Sequence, residues 1–590
     1  MEMRWSLDAL YPSFESEVFQ EDLKKCDEEI ESMKRWAEEN LISSDRTAEK
    51  METYIQMQNR FFHLFTRLLS FGELRLSVNA RDEKALQIVE RLESKGTELA
   101  KPMVMFQKWI NNIDNLDEVI ASSKILEEHR FYLEEIKKNS RYLLSEKEEI
   151  LIAKMKNTGS NAWSKLQELL TSTLLVDMTV DGEKKRLPLT VVRNMAHDPN
   201  PDVRRTAYEA ELKAYPKIEE SSAAALNGIK GEVITLAQMR GYDSPLEETL
   251  MNSRMDRETL EAMLTAIRES LPAFHRYYKR KAALLGHDRG LPFYDLFAPM
   301  GGGKMQLTYR EAKDFIVENF RTFSERLANY AHGAFEKGWI DGEPREGKRG
   351  GAFCANLHAI GESRILLNFT GTFHDVKTLA HELGHGYHGY CLVGETYLNS
   401  HYPMPIAETA SIFCETIIQK AALKTASLEE AFAILESSLM GAGQVIVDIY
   451  SRFLFESELF RRREEGSLSV NELKEMMIKA QKEAYGDGLA HDVLHPYMWI
   501  NKPHYYDASH NYYNFPYAFG LLFAKGLYAE YLKRGESFVQ EYDRLLSVTG
   551  KKTIADVAAM MGIDIHSIDF WRSSLKLIEE EIDNFISLKP

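Results

Sequence analysis

Two histidines four residues apart, with a glutamate directly after the first, stand at His381, Glu382 and His385 inside the stretch FHDVKTLAHELGHGYH (residues 373–388). On a helix, positions four apart lie on one face, a turn apart, so both imidazoles can grip one zinc ion. Glu382 is turned by about 100° around the helix. Its carboxylate can therefore reach a metal-bound water without occupying the metal, as a general base must. A catalytic zinc site usually takes three protein ligands and a water, so a third ligand is needed downstream. His388 shares the face of the other two, yet it sits about 4.5 Å beyond His385 on the same line. That suits packing or support of a ligand better than tetrahedral binding. His401 is a second candidate. Glu408 is a third: Pro403-Met404-Pro405 resets the chain, Ile406 to Lys420 reads as a helix, and Ser411 and Glu415 share the Glu408 face. One of these carboxylates can bind zinc while the other fixes a ligand histidine through its second ring nitrogen. Spacing alone equally allows Glu408 to be a favourable charge at a helix N-terminus.

The elements around the motif must hold it as a helix. Thr372 and Asp375 have capping-box spacing at its expected start, and Val376, Leu379, Ala380 and Leu383 give it an apolar face. Gly384, Gly386 and Gly389 each cost about 1 kcal/mol relative to alanine, which predicts close approach of another helix or of substrate. Most of the remaining chain reads as amphipathic helix. Leu23, Cys26, Ile30, Met33 and Ala37 form one stripe between Val18 and Asn40, and Met51 to Leu69 shows a wider one. Ile125 to Lys137, Glu146 to Lys156 and Trp163 to Leu170 continue the style. Met178 to Val180, the Asp181-Gly182 turn and Leu187 to Thr190 read as a hairpin. Arg364 to Thr370 reads as a strand, whose edge a substrate peptide could join. Asp198 to Asp202 (DPNPD) marks a helix start before Val203 to Tyr215. Gly286 to Lys304, with Gly301-Gly302-Gly303-Lys304, lacks P-loop spacing and reads as a loop, as does Gly338 to Gly351. His491 and His495 are also four apart, but Asp492 follows the first and Pro496 ends any helix, which disfavours a second metal site.

Three stretches, in order along the chain, resemble the oligoendopeptidase F branch of the thimet-oligopeptidase-like zinc metallopeptidases. They are WSLDALYPSF (residues 5–14), NFTGTFHDVKTLAHELGHG (residues 368–386) followed by IAETASIFCE (residues 406–415), and YYNFPYAFG (residues 512–520). The resemblance implies a mainly α, two-lobed body with a deep substrate channel and a small β-sheet near the zinc site. It implies Glu408 as the third ligand of one Zn2+ per chain, and short unstructured oligopeptides as substrates. It also implies a histidine and tyrosines that face the transition state; His504 and Tyr513 match that spacing best, with Tyr517 and His510 next. The expected domains are residues 1–197, an N-terminal helical lobe with the hairpin, and residues 198–590, the catalytic domain, with the lobes interleaved. The implied activity is metalloendopeptidase. A zinc carboxypeptidase or dipeptidase is the alternative within enzymes. A non-catalytic zinc-binding scaffold is the alternative outside them, although such a scaffold has no need of Glu382.

Composition sets the outer bounds. The 590 residues carry a formal charge of −17, which argues against nucleic-acid or anionic-membrane partners. The run Arg461-Arg462-Arg463 is followed at once by two glutamates and reads as a solvated helix end. The four cysteines, Cys26, Cys354, Cys391 and Cys414, are widely spaced without CxxC, which points to a reducing compartment. No secretory leader is visible at the start of the sequence, and no stretch approaches the apolar content of a membrane span. The expected location is cytoplasmic.

Overall fold

Helices carry most of the chain, as expected, in a computed structural model that describes residues 3–180, 182–301 and 305–588. Five strands form two small sheets among the described residues. The chain gathers into two compact units, each built from three separated stretches. The first is Met1–Leu143, Met305–Ala421 and Glu530–Gly562; the second is Leu144–Lys304, Ala422–Ala529 and Ile563–Pro590.

In the first unit the helix Glu17–Asn40 buries the predicted stripe, with Phe19 added. Thr47–Val78 runs well past the expected Leu69 because Phe71, Gly72 and Leu74 continue its buried face. Both pack with Leu10, Tyr11 and Phe14 into one apolar core. The same unit holds a three-stranded sheet of β3 (Ile340–Asp341), β4 (Phe353–Leu357) and β5 (Glu362–Leu366), in the order β3-β5-β4. β5 pairs in parallel with β3 and antiparallel with β4, Cys354 lying opposite Ile365. This corrects two expectations. The strand ends at Leu366 rather than Thr370, and it is a middle strand rather than an edge, with β4 along one side and β3 on the other at Ile365 and Leu366. The stretch expected as loop, Gly338 to Gly351, contains β3, pinned by Lys348, which pairs with Asp341 at 2.7 Å inside the protein.

In the second unit, β1 (Leu175–Val180) and β2 (Glu183–Pro188) form the expected hairpin, Val180 opposite Glu183. Gly182 takes the left-handed φ of 80° that such a turn requires, while Asp181 lies outside the described residues. Leu189 and Thr190, expected in the strand, begin the helix Leu189–Asn194. Asn200 caps Pro201–Ala214 by accepting from the Asp202 N–H, with proline in the first turn. The stretch Gly286 to Lys304 carries a 3-10 turn at Phe293–Asp295; Gly302, Gly303 and Lys304 lie outside the described residues. One further reading is corrected. The continuous helix Leu428–Glu465 is long and apolar enough, by composition alone, to cross a membrane, and half of its apolar window is buried. Phe432, Leu435, Leu439, Ile446 and Val447 are core residues of this unit, which accounts for that apolar content.

Candidate active site

The motif helix spans Phe373–Leu392, and its start is tied down locally. Thr372 accepts from the Asp375 N–H, and Asp375 returns bonds from the N–H groups of Thr372 and Thr370 at 3.1 and 2.8 Å. The approach to it is fixed by Leu307 N–H donating to Gly371 O at 2.9 Å. The three costly glycines are explained by close approach. A Cβ on Gly384 would lie 2.5 Å from both Ala410 O and Ser411 Cα, the backbone of the neighbouring helix Thr409–Thr425. On Gly386 it would collide with Tyr330 and Ser363, which bond to each other, and on Gly389 with Asn356 of β4.

That contact brings Glu408 to the two histidines. Glu408 occupies the joint between the short helical turn Met404–Ala407 and Thr409–Thr425, one residue ahead of the longer helix rather than inside its first turn. Ser411 fixes it, its hydroxyl within 2.8 Å of Glu408 Oε2. Glu408 Oε2 lies 3.3 Å from His381 Nε2 and 3.5 Å from His385 Nε2, and one donor atom from each of the three residues falls within 4.8 Å of the others. Glu415, on the same face as Glu408, accepts from His381 Nδ1 at 3.2 Å. This leaves the Nε2 lone pair for a metal.

The electrostatics follow from burial and crowding. Burial opposes charge on His381, but bonds to Glu408 and Glu415 outweigh it and raise the imidazole to about 10. Burial, joined by the charge on His381, pushes His385 down to about 4. Burial would raise Glu408, yet the two histidines overcome it and hold the carboxyl near 2. The two carboxylates thus favour the protonated form of His381. Burial lifts Glu382 to about 7, with Glu408 adding to the effect and His381 opposing it. Glu382 Oε2 is buried and has no hydrogen-bond partner among the described residues. Two imidazole nitrogens, one carboxylate and a neighbouring orphan carboxylate oxygen fit a hydrated divalent cation.

The other histidines weighed as ligands have partners elsewhere. His388 is fully buried, bonded through Nε2 to Thr549 at 2.9 Å and stacked on Tyr402 with ring centroids 4.0 Å apart. His401 Nδ1 turns to Tyr397 O. His491 meets Gly486 O, while His495 faces Glu211, so these two do not converge. In the second unit, the rings of His504 and Tyr513 stack with centroids 4.4 Å apart, and the Tyr517 hydroxyl comes within 3.5 Å of that of Tyr513. His510 is two-thirds exposed and bonds Asp507 at 3.0 Å. The loop bearing Tyr513 is held hard. Tyr512 adopts a left-handed φ of 52°, and Asn511 before it accepts from the buried Lys230, itself paired with Glu456 at 2.8 Å. Sequence reasoning missed Lys377, which pairs with Glu415 at 2.8 Å, and Asn356, which donates to His385 O at 3.1 Å. The Lys377 signal was available, since it stands one helical turn before His381 on the same face.

Residues 194–577 match the sequence profile of peptidase family M3, and residues 112–175 match that of oligopeptidase F. The chain belongs to peptidase family M3. It is accordingly a metalloendopeptidase that hydrolyses peptide bonds. This M3 chain is 26% identical to oligopeptidase PepF of Bacillus subtilis, over 99% of its own length and 87% of the relative's. It is 24% identical to the group B oligopeptidase PepB of Streptococcus agalactiae, over 99% and 97%. Its fold matches the crystal structure of oligoendopeptidase-F from Enterococcus faecium with a TM-score of 0.71 at 19% identity, covering 96% of this chain and 99% of the other.

Proposed function

We propose that this M3 peptidase is a zinc endopeptidase acting on internal bonds of short, unstructured oligopeptides, with His381, His385 and Glu408 as the metal ligands. The observation that carries this reading is the convergence of those three donors beside a buried, partnerless Glu382 oxygen. Zinc bound there would acidify a water and polarise the scissile carbonyl. Glu382, lifted towards neutrality, is suited to take the proton of the attacking water and return it to the leaving amine. Ser411 and Glu415 orient the ligands. His504 and Tyr513, with Tyr517 and then His510, are assigned as donors to the developing oxyanion; the stacking of His504 on Tyr513 supports the first pair as a unit. For substrate we favour β4 over β5, since β4 is the outer strand of its sheet and can accept an extended peptide along its free side. The net charge of −17 favours peptides over nucleic acid as substrate, and the cysteine usage favours a cytoplasmic setting.

The test is a doubly blocked, internally quenched peptide. The wild-type enzyme with zinc should cut it, and a chelator should stop the cleavage. Glu382→Gln should keep its zinc by metal analysis while turnover falls by about three orders of magnitude. Cleavage of free-ended peptides only would favour a carboxypeptidase or dipeptidase, and an active Glu382→Gln enzyme would remove Glu382 as the base.

A further inference from the structure

A line of contacts runs from the metal ligands away from the reacting atoms. His381 Nδ1 meets one oxygen of Glu415 at 3.2 Å, and Lys377 Nζ meets the other at 2.8 Å. We propose that Lys377 is a positioning residue for metal capture, holding Glu415 in the one orientation that points His381 Nε2 at the ion. The proposal rests on the reading of His381 as a ligand.

Three observations carry it. The Glu415 carboxylate is engaged at both ends, which fixes its plane as well as its place. Lys377 and His381 stand one turn apart on the motif helix, whereas Glu415 comes from Thr409–Thr425, so the lysine braces the helix that delivers Glu408 against the helix that bears both imidazoles. The pair is also sheltered: side-chain exposure is 18% for Lys377 and 25% for Glu415, unlike surface pairs that contribute little. Charge gives the physical reason. Glu408 and Glu415 both crowd His381, and Lys377 offsets the charge of Glu415. Without it, Glu415 would be drawn to another cation or a proton, and the imidazole it steers would lose its direction.

The experiment measures zinc affinity by competition with a chromogenic chelator for the wild type, Lys377→Met and Lys377→Arg. It adds the visible absorption of the cobalt-loaded proteins and thermal melts of the metal-free ones. Lys377→Met should weaken zinc by about 10- to 100-fold and alter the cobalt bands, while Lys377→Arg restores both. If Lys377→Met does not fold, Lys377→Gln, which keeps a donor without the charge, is read in the same way. Affinity within twofold of wild type with an unchanged cobalt spectrum would overturn the proposal, including where the metal-free melt is lowered, since that is a purely structural role. A wild-type protein that captures no zinc would sink the functional reading as well, and so is told apart from failure of Lys377 alone.

Discussion

At the scale of single residues, His388 separates what a histidine does beside a metal site from what it does in one. Burial drives it from the ordinary 6.5 down to about 3, so the folded chain keeps it neutral. The folded value is depressed. The stability that depends on the uncharged ring is therefore fully present above about 6.5 and is lost as pH falls towards 3. Between about pH 7.5 and about pH 5 this one group should cost the folded state about 2 kcal/mol. Urea unfolding of the metal-free protein at those two pH values should show that loss. His388→Gln, which keeps a donor for Thr549 without titrating, should lose less by that amount. An equal pH response in both proteins would mean that His388 is not buried as a neutral ring. The residue was legible as a non-ligand because helical rise alone placed it out of reach; its partners Thr549 and Tyr402 were not, since nothing local to residue 388 points to them.

At the scale of elements, the site is the meeting of two helices at a glycine. The backbone of Thr409–Thr425 sits where a Cβ on Gly384 would go, so Gly384→Ala should force the helices apart. A cost of about 1–3 kcal/mol is expected, with weakened zinc binding, because Glu408 and Glu415 move with their helix. Gly441→Ala is the control: that helical glycine has nothing within 4 Å of the added carbon and should be neutral or mildly stabilising. Melting temperatures and chelator competition on the two variants check this, and equal behaviour would remove the clamp. The sequence announced the motif helix well, because its cap, its apolar face and its glycines are all local signals. It announced β5 but not its surroundings. β3 supplies only Ile340 and Asp341, too short for any periodicity, so the strand looked like an edge when it is the centre.

At the scale of the whole molecule, the chain returns to the first unit twice after leaving it. Only the crossing after Lys304 coincides with a stretch that the sequence marks as a loop, which is why sequence reading offered a single boundary, placed elsewhere. One consequence is measurable by hydrogen exchange. The helix Glu536–Ser547 lies far along the chain from the motif, yet it packs on the motif helix, with Asp543 accepting from the Tyr387 hydroxyl. Zinc should therefore slow exchange in Phe373–Leu392 and in Glu536–Ser547 together, because a ligand that favours the folded form suppresses opening of the unit that binds it. The hairpin of β1 and β2 belongs to the other unit and is the internal reference. Slowing confined to the motif helix would show that the late stretch is not part of the same cooperative body.

If His381, His385 and Glu408 hold the metal as proposed, the glycine joint also bears on which ions suit them. With the two helices in contact at Gly384, the three donors stand within 4.8 Å of one another. They offer two nitrogens and few oxygens at short reach. Calcium, which seeks six to eight oxygens at longer range, and magnesium, which insists on an octahedron of them, should bind such a donor set weakly. On the proposed ligand set, the abundant hard cations should be turned away by the kind and number of donors that the joined helices present.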